Sequence, residues 1–350
     1  TQVAATAVST GSDVDTVNPT VTIDITASSL SDTTNSSQVN FTFSEAPGTT
    51  FTLDDISATH GVMSDLVQED ATHYHATFTA EDGYTGNGTV TVTAAKFTDA
   101  SLNNNLVATP DSVAIDTENP IAPVITDIFD NANPVTGVVS DGGATNDTSL
   151  LLNGTAEANS TINLYNGTTL LATFTADEEG NWSRTVSGLS NGTTYDFNAT
   201  ATDAANNVSG PSDDYTVTVD IAVPTLTSIA RQEPSAETTN ADTLTYRVTF
   251  NEAVSNVDAS DFQVAGTTAT ISAVTLFSPG VYDVTLSGGD LASLNGTVTL
   301  SFASGQNIVD AAGNALATPV TTSSYVVDNT TSTVTTVALS DVQITDADDG

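Results

Sequence analysis

The sequence of 350 residues contains no cysteine and very few basic residues. It has 4 Lys and Arg residues against 43 Asp and Glu residues, which gives a formal net charge of −39. The four bases, Lys96, Arg184, Arg231 and Arg247, are too few and too scattered to form a phosphate-binding surface. The sequence therefore argues against nucleic acid as a partner and against adsorption to the anionic face of a membrane.

The chain also lacks a long hydrophobic run. No apolar stretch approaches the roughly 18–20 residues needed to cross a bilayer, so we expect no membrane insertion. The first residues show no charged segment followed by an apolar one, so no signal peptide is visible. Without cysteine no disulfide can stabilise the fold, and an extracellular protein of this kind can use bound metal instead.

Aromatic residues are scarce, with a single tryptophan. Pairs of acidic residues are frequent, as a glycoside hydrolase needs, but the small cores predict no aromatic-lined cleft beside them. Trp182 is predicted to be a core residue and not a sugar platform. His73 and His75 lie two residues apart on a predicted strand, where no third metal ligand can be placed. We therefore expect no enzymatic activity.

Threonine is abundant, with 64 residues, and it favours strands because its side chain is β-branched. One signature, an apolar residue followed by Asp and a short linker, recurs along the chain. Its aspartates are Asp15, Asp116, Asp220 and Asp328, at intervals of 101, 104 and 108 residues. This period matches one immunoglobulin-sized sandwich of about 100 residues, with short alternating strands inside each period.

The repeat predicts an all-β chain of tandem immunoglobulin-like antiparallel β-sandwiches. Residues 16–116, 117–220 and 221–328 are predicted to form three complete domains. Residues 1–15 are predicted to be the last strand of a preceding domain, and residues 329–350 the start of a following one. The first and third domains are predicted to share a subtype that the middle domain does not share.

Sandwich topology brings distant acidic residues together. In a seven-stranded sandwich the linker before the first strand, the B–C loop and the F–G loop lie at the same pole, because successive strands reverse direction. Each of these segments carries one acidic residue per domain. The predicted sets are Asp15, Glu45 and Asp99; Asp116, Glu157 and Asp203; and Asp220, Glu252 and Asp310.

Three carboxylates at one place repel each other unless a cation lies among them. Oxygen ligands without cysteine suit Ca²⁺, so we predict calcium at these sets. Further candidate ligands are Asp32 and Asp147 in the A–B loops, which would face the next linker. Asp55 and Asp261, which follow the B–C loops of the first and third domains, complete the predicted metal ligands.

Several motifs resemble one known family. They are the linker Asp116-Thr117-Glu118-Asn119-Pro120, the strand ends Phe43-Ser44-Glu45-Ala46 and Phe250-Asn251-Glu252-Ala253, the segment Gly180-Asn181-Trp182-Ser183, and the turn Asp310-Ala311-Ala312-Gly313-Asn314. They are similar to tandem bacterial Ig-like domains, which form the extender regions of giant repetitive secreted adhesins of the type I-secreted and biofilm-associated class. The resemblance covers about residues 14–328.

The resemblance implies a structural extender on the bacterial cell surface. It implies a monomeric rod, stiffened by Ca²⁺ at the linkers, whose partners are neighbouring repeats of the same chain and which projects a distal ligand-binding domain. Two alternatives remain open. One is a module that itself binds a glycan, a cell surface or ice, and an exposed aromatic patch would favour it. The other is an accessory array of an extracellular hydrolase.

Overall fold

The structure, a computed structural model, describes residues 14–317 and 319–334. The strand predicted before residue 15 and most of the domain start predicted after residue 329 lie outside the described residues. The described chain consists of strands, turns and two three-residue 3₁₀ turns. Within it, no helix is long and apolar enough to cross a membrane. The predicted all-β class is confirmed.

The chain divides into two compact units. Among the described residues, the first unit contains residues 14–128, 151–186 and 195–216. The second unit contains residues 129–150, 187–194 and 217–334.

A sandwich of eight strands opens the first unit. Its strands are β1 (Val21–Ile25), β2 (Ser29–Ser31), β3 (Ser36–Phe43), β4 (Ile56–Thr59), β5 (Gly61–Gln68), β6 (His73–Ala80), β7 (Thr85–Val92) and β8 (Asp111–Asp116), with a 3₁₀ turn at Leu53–Asp55. One sheet has the order β1-β3-β6-β5 and the other β2-β8-β7-β4.

Alternation of apolar and polar residues explains these strands. In β3, Val39, Phe41 and Phe43 are buried, whereas Gln38 and Thr42 point to solvent. Period-two alternation places every second side chain on the inner face of the sheet. Aromatic rings dominate the core, and the Phe43 and Phe97 rings meet edge to face at 5.2 Å. Such contacts stabilise a small core beyond the apolar area that they bury.

The first strand of the sandwich is split in two, which a seven-stranded scheme does not predict. β1 pairs antiparallel with β3, and β2 then pairs parallel with β8 of the opposite sheet. The chain changes sheets between Ile25 and Ser29, where the Ile25 N–H donates to the Asp111 carboxylate at 2.7 Å. Both sheets thereby gain an edge strand from one segment, which covers edges that would otherwise be open.

Strand register defines the two poles of this sandwich. Val21 pairs with Phe43, so the linker before β1 and the loop after β3 lie at the same end. Asp116 pairs with Thr85 in β7 and with Ser31 in β2, so the next linker leaves from the opposite end. The structure therefore places the entering linker and the loop after β3 at one end of the sandwich, as the sequence predicts.

The middle region, residues 124–219, also forms two sheets and is called the middle domain below. Its strands are β9 (Val124–Asp130), β10 (Gly137–Val139), β11 (Gly143–Thr145), β12 (Ser149–Thr155), β13 (Thr161–Asn166), β14 (Thr169–Thr175), β15 (Asn181–Ser187), β16 (Thr193–Thr202) and β17 (Tyr215–Val219). The sheet orders are β10-β9-β12-β15 and β11-β17-β16-β13-β14.

A second eight-stranded sandwich lies in the second unit. Its strands are β18 (Leu226–Glu233), β19 (Thr238–Thr239), β20 (Thr243–Phe250), β21 (Phe262–Ala265), β22 (Thr270–Ser278), β23 (Val281–Ser287), β24 (Asn295–Phe302) and β25 (Ser323–Asp328), with a 3₁₀ turn at Ala259–Asp261. The orders β18-β20-β23-β22 and β19-β25-β24-β21 repeat those of the first sandwich strand for strand. The two sandwiches therefore share one subtype.

Gly154 in β12 provides a test of the packing around the only tryptophan. A Cβ at this position would lie 2.1 Å from Trp182 Cζ2 and 2.3 Å from the Val124 carbonyl oxygen. We expect Gly154→Ala to lower the free energy of unfolding by about 1–3 kcal/mol, because the ring or the strand must move. A thermal melt followed by Trp182 fluorescence measures this loss.

Gly210→Ala is the matched control for this substitution. No heavy atom lies within 4 Å of a Cβ built on Gly210, so this variant should melt like the parent. If Gly154→Ala also melts like the parent, the close packing of Trp182 against β12 is wrong.

Candidate metal centres

A five-residue turn recurs in the loop that precedes the last strand of each domain, the F–G loop. It spans Asp99–Asn103, Asp203–Asn207 and Asp310–Asn314. In each turn the N–H of the aspartate donates to the carbonyl of the asparagine, at 3.1–3.2 Å. The fourth residue has a positive φ, and it is Leu102, Asn206 or Gly313. Asn and Gly adopt this conformation readily, whereas a leucine there is strained.

The aspartate of this turn is held by its own loop. Asp99 is 4% exposed, and its Oδ1 accepts hydrogen bonds from the Ser101 and Asn103 backbone N–H groups at 2.8 and 2.9 Å. Its Oδ2 accepts a bond from Asn103 Nδ2 at 2.8 Å. Burial alone would raise the pKa of Asp99, but these hydrogen bonds outweigh it and lower the pKa. The carboxylate is thus kept ionised and in a fixed orientation.

The asparagine of each turn also holds the linker. Its Nδ2 donates to the backbone carbonyl of the linker aspartate, in the pairs Asn103 to Asp15 at 3.2 Å, Asn207 to Asp116 at 2.9 Å and Asn314 to Asp220 at 2.8 Å. The linker and the F–G loop are therefore joined by the same side chain in all three domains.

The first predicted set is brought together in the first unit. Carboxylate oxygens of Asp15, Glu45 and Asp99 lie within 4.8 Å of one another. Partial desolvation, followed by repulsion from Asp15 and Asp99, raises the pKa of Glu45. The ionised cluster is therefore unfavourable without a counter-charge.

The third set has the same geometry in the second unit. Carboxylate oxygens of Asp220, Glu252 and Asp310 also lie within 4.8 Å of one another. Partial desolvation raises the pKa of Glu252, and the nearby Asp310 and Asp220 raise it further, although a hydrogen bond from Asn251 opposes them. Asp310 repeats the bonding of Asp99, with its Oδ1 held by two backbone N–H groups.

The middle set is looser than the other two. Partial desolvation and then Asp203, Asp116 and Glu118 raise the pKa of Glu157, so the four carboxylates share one electrostatic environment. The Asp116 carboxylate accepts a bond from Thr85 Oγ1 at 2.9 Å. Among the described residues these acids do not form a group as compact as the first and third sets.

The donor chemistry of the clusters fits a hard cation. Each offers only carboxylate oxygens, next to backbone carbonyls of the linker, and Ca²⁺ takes six to eight such oxygens. Asp15, Glu45 and Asp99, and likewise Asp220, Glu252 and Asp310, are the residues that would hold it. A bound cation would supply positive charge where three carboxylates meet.

The two predicted A–B loop ligands differ in their placement. Asp32 lies beside the F–G loop of the middle domain, where its backbone N–H donates to Asn207 Oδ1 at 2.8 Å. The Asp147 carboxylate is buried within its own loop and accepts bonds from the Asn131 and Ser149 backbone N–H groups at 3.0 and 2.7 Å. The structure brings neither carboxylate into a compact acidic cluster of the described chain.

Asp55 and Asp261 close 3₁₀ turns in the structure, and Asp261 Oδ1 also accepts the Asn307 backbone N–H at 3.2 Å. Each lies at the end of a 3₁₀ turn and closes it as a capping box, with its carboxylate accepting the backbone N–H of Thr52 or Asp258 at 2.7 Å. Neither residue belongs to a compact acidic cluster in the part of the chain that the structure describes. Metal coordination by these two residues, and by Asp32 and Asp147, stays a prediction.

Sequence reasoning missed the asparagine that ends each turn. Its importance could have been found from one spacing, because Asp-x-x-x-Asn occurs in all three F–G loops. An asparagine is commonly interpreted as a turn former, which hides its second function as a hydrogen-bond donor to the linker.

Comparison with known proteins agrees with this architecture. Residues 15–117 and residues 122–221 each match a family described as bacterial Ig-like domain. The chain contains bacterial Ig-like domains in tandem. The third sandwich repeats the sheet order of the first Ig-like domain. No curated protein matches the sequence significantly.

Several solved structures resemble the chain at low identity. A biofilm-associated protein, BSP domain, is 18% identical over 57% of this chain and 30% of its own, with a TM-score of 0.20. Invasin, described as a bacterial integrin-binding protein, is 14% identical over 87% of this chain and 58% of its own, with a TM-score of 0.27. The Yersinia pseudotuberculosis adhesin InvE is 13% identical, covers 76% and 73%, and has a TM-score of 0.22. At these values the likeness carries no argument about function.

Glu252→Gln tests whether repulsion among the carboxylates of the third cluster destabilises the folded state. The raised pKa means that the folded state binds a proton more tightly than the unfolded state, so ionising Glu252 at neutral pH destabilises the fold. In chelator at pH 7 we expect the melting temperature of Glu252→Gln to rise by a few degrees. In saturating Ca²⁺ the sign should reverse, because the variant has lost a charged ligand.

Glu179→Gln is the control of equal charge change, in an exposed turn. It should shift the melting temperature by the same small amount in both conditions. A melting temperature of Glu252→Gln that falls in chelator would contradict the proposed repulsion.

Proposed function

We propose that the chain is an extender segment of a bacterial cell-surface adhesin of the giant, repetitive, secreted class. In this proposal Ca²⁺ stiffens the junctions between Ig-like domains into a rod, which holds a distal ligand-binding domain away from the cell. The segment would act as a monomer, outside the cell and without catalysis, and its partners would be the neighbouring repeats.

One observation carries the proposal. In the first and third clusters the linker contributes one aspartate, Asp15 or Asp220, whereas the other two carboxylates belong to the domain that follows. A cation held by all three would tie the linker to that domain. The linker would then lose rotational freedom about its backbone, and two successive domains would keep a constant orientation.

The charge of the chain supports the same role. A net charge of −39 disfavours a compact state through self-repulsion. Cations that bind only the folded state stabilise it by mass action. The folded state of a surface protein in a calcium-containing medium would therefore be more stable, and its stability would depend on the ion.

Asp116→Ala tests the clamp at the linker between the first sandwich and the middle domain. The variant loses one charged oxygen and one hydrogen bond from Thr85, but no apolar core contact. We expect a slightly smaller radius of gyration than the parent in saturating Ca²⁺, because the junction loses the restraint that the cation adds. Small-angle scattering in Ca²⁺, in Mg²⁺ and in chelator measures this, and Mg²⁺ should replace Ca²⁺ poorly because it demands octahedral geometry.

Glu179→Ala, in an exposed turn away from the clusters, is the control and should scatter like the parent. The neighbouring Asp177 would be a poorer control, because its carboxylate accepts the Glu179 and Asn181 backbone N–H groups and stabilises that turn. The linker clamp is refuted if the parent scatters identically with and without Ca²⁺, and Asp116→Ala matches it in both.

A second candidate function is favoured by one exposed aromatic residue. Phe277 is 63% exposed in the edge strand β22, at a register irregularity between Leu276 and Ser278. The guanidinium of Arg247 lies 3.8 Å from its ring centroid and is held by two 2.9 Å bonds to Asp283. Arg247 covers one face of this ring, so a neutral sugar would stack on the opposite face, which would make the third sandwich a glycan-binding module.

Phe277→Ala decides between this module and a plain spacer. If the third sandwich binds neutral glycans, a glycan array should detect binding by the parent and about tenfold weaker binding by the variant, as expected for one lost stacking contact. Leu170→Ala, which removes an exposed apolar side chain of the middle domain, should bind like the parent. An array without binding by the parent excludes the glycan module.

A further inference from the structure

Among the described residues at the three linkers, the Asn207 side chain makes the most hydrogen bonds. It is 0% exposed, and its Nδ2 donates to the carbonyl oxygens of Asp116 and Glu118 at 2.9 and 3.2 Å and to Asp203 Oδ2 at 2.8 Å. Its Oδ1 accepts the backbone N–H of Asp32 at 2.8 Å. We call these four contacts the Asn207 latch.

The latch joins three segments of the first unit. Asp32 belongs to the A–B loop of the first sandwich, Asp116 and Glu118 belong to the linker, and Asp203 belongs to the F–G loop of the middle domain. The bond from Asp32 links residues 175 positions apart in the chain. A single amide therefore connects both domains and the segment between them.

The other two turns hold only their own linker. Asn103 and Asn314 donate to Asp15 and Asp220 in the same way, but from the described residues neither side chain receives a bond from a preceding A–B loop. In the described chain, Asn207 is thus the one asparagine of these turns whose side chain bonds to the domain on each side of its linker.

We infer that the Asn207 latch orders the junction between the first sandwich and the middle domain without any cation. An amide is neutral, so its bonds do not depend on compensating the charge of the carboxylates. Breaking the latch would leave a buried amide and linker carbonyls without partners, which is costly. Calcium would then add to an order that already exists at this junction, so the inference goes beyond the calcium-dependent clamp proposed above.

A distance measurement in chelator tests the latch. Because the chain has no cysteine, Ser57→Cys in the first sandwich and Ser183→Cys in the middle domain, both exposed, can each carry one spin label. Double electron–electron resonance in chelator should give a narrow distance distribution for this labelled parent. Adding Asn207→Ala should broaden it about twofold or more.

Asn314→Ala is the matched control, since it removes the same amide from the F–G loop of the third sandwich. Its distance distribution between the two labels should equal that of the parent. The inference is overturned if, in chelator, the distance distribution of the labelled parent is already as broad as that of Asn207→Ala. It is also overturned if the distribution of Asn207→Ala is as narrow as that of the parent.

Asn207→Ala could fail to fold, and a change in Trp182 fluorescence would reveal this. Hydrogen exchange on the unsubstituted chain then tests the latch independently. In chelator the Asp32 amide should exchange at least about tenfold more slowly than an unprotected amide, the effect expected of one buried hydrogen bond. Exchange of the Asp32 amide at the unprotected rate would overturn the latch. Persistent protection, together with identical scattering of the parent and of Asp116→Ala in Ca²⁺ and in chelator, would support the latch while refuting the calcium clamp.

Discussion

Repulsion among carboxylates that the fold forces together is the constraint on which the rest of this structure depends. Successive strands of a sandwich alternate in direction, so the entering linker, the B–C loop and the F–G loop meet at one pole. In the first and third sandwiches each of these segments brings one acid, and the oxygens lie within 4.8 Å of one another. Such a pole can be stable only if protons, hydrogen bonds or cations offset the charge.

The chain divides this task between two kinds of carboxylate. The F–G aspartate, such as Asp99, is satisfied by amide donors from its own turn and has a lowered pKa. The B–C glutamate, such as Glu45, is partly desolvated next to two other carboxylates and has a raised pKa. One ligand is therefore pre-organised and always ionised, whereas the other gains most from a counter-charge. This asymmetry makes the clusters sensitive to an added cation.

Much of this arrangement could be predicted from the sequence, since it depends on chain topology. Alternation and a period of about 100 residues define sandwiches, and sandwich topology places Asp220, Glu252 and Asp310 at one pole. Asp261 shows why the rest could not be predicted. Asp261 and Asp55 occupy equivalent positions after the B–C loops, where an aspartate could be either a metal ligand or a cap. Only the structure, in which each closes a 3₁₀ turn, identifies the capping role. The split first strand likewise depends on tertiary hydrogen bonds that no local pattern reveals.

The three F–G turns show which residues the geometry requires. Their fourth position has a φ near +70° to +90° in every copy, although it is occupied by Leu102, Asn206 or Gly313. A leucine in this region costs roughly 1–2 kcal/mol relative to glycine, yet the turn keeps its form. The hydrogen bonds between the first and fifth residues must therefore impose the conformation. Those bonds also orient the linker carbonyl and the F–G carboxylate, and the aspartate and asparagine that make them occur in every copy, whereas the third and fourth residues of the turn differ between copies.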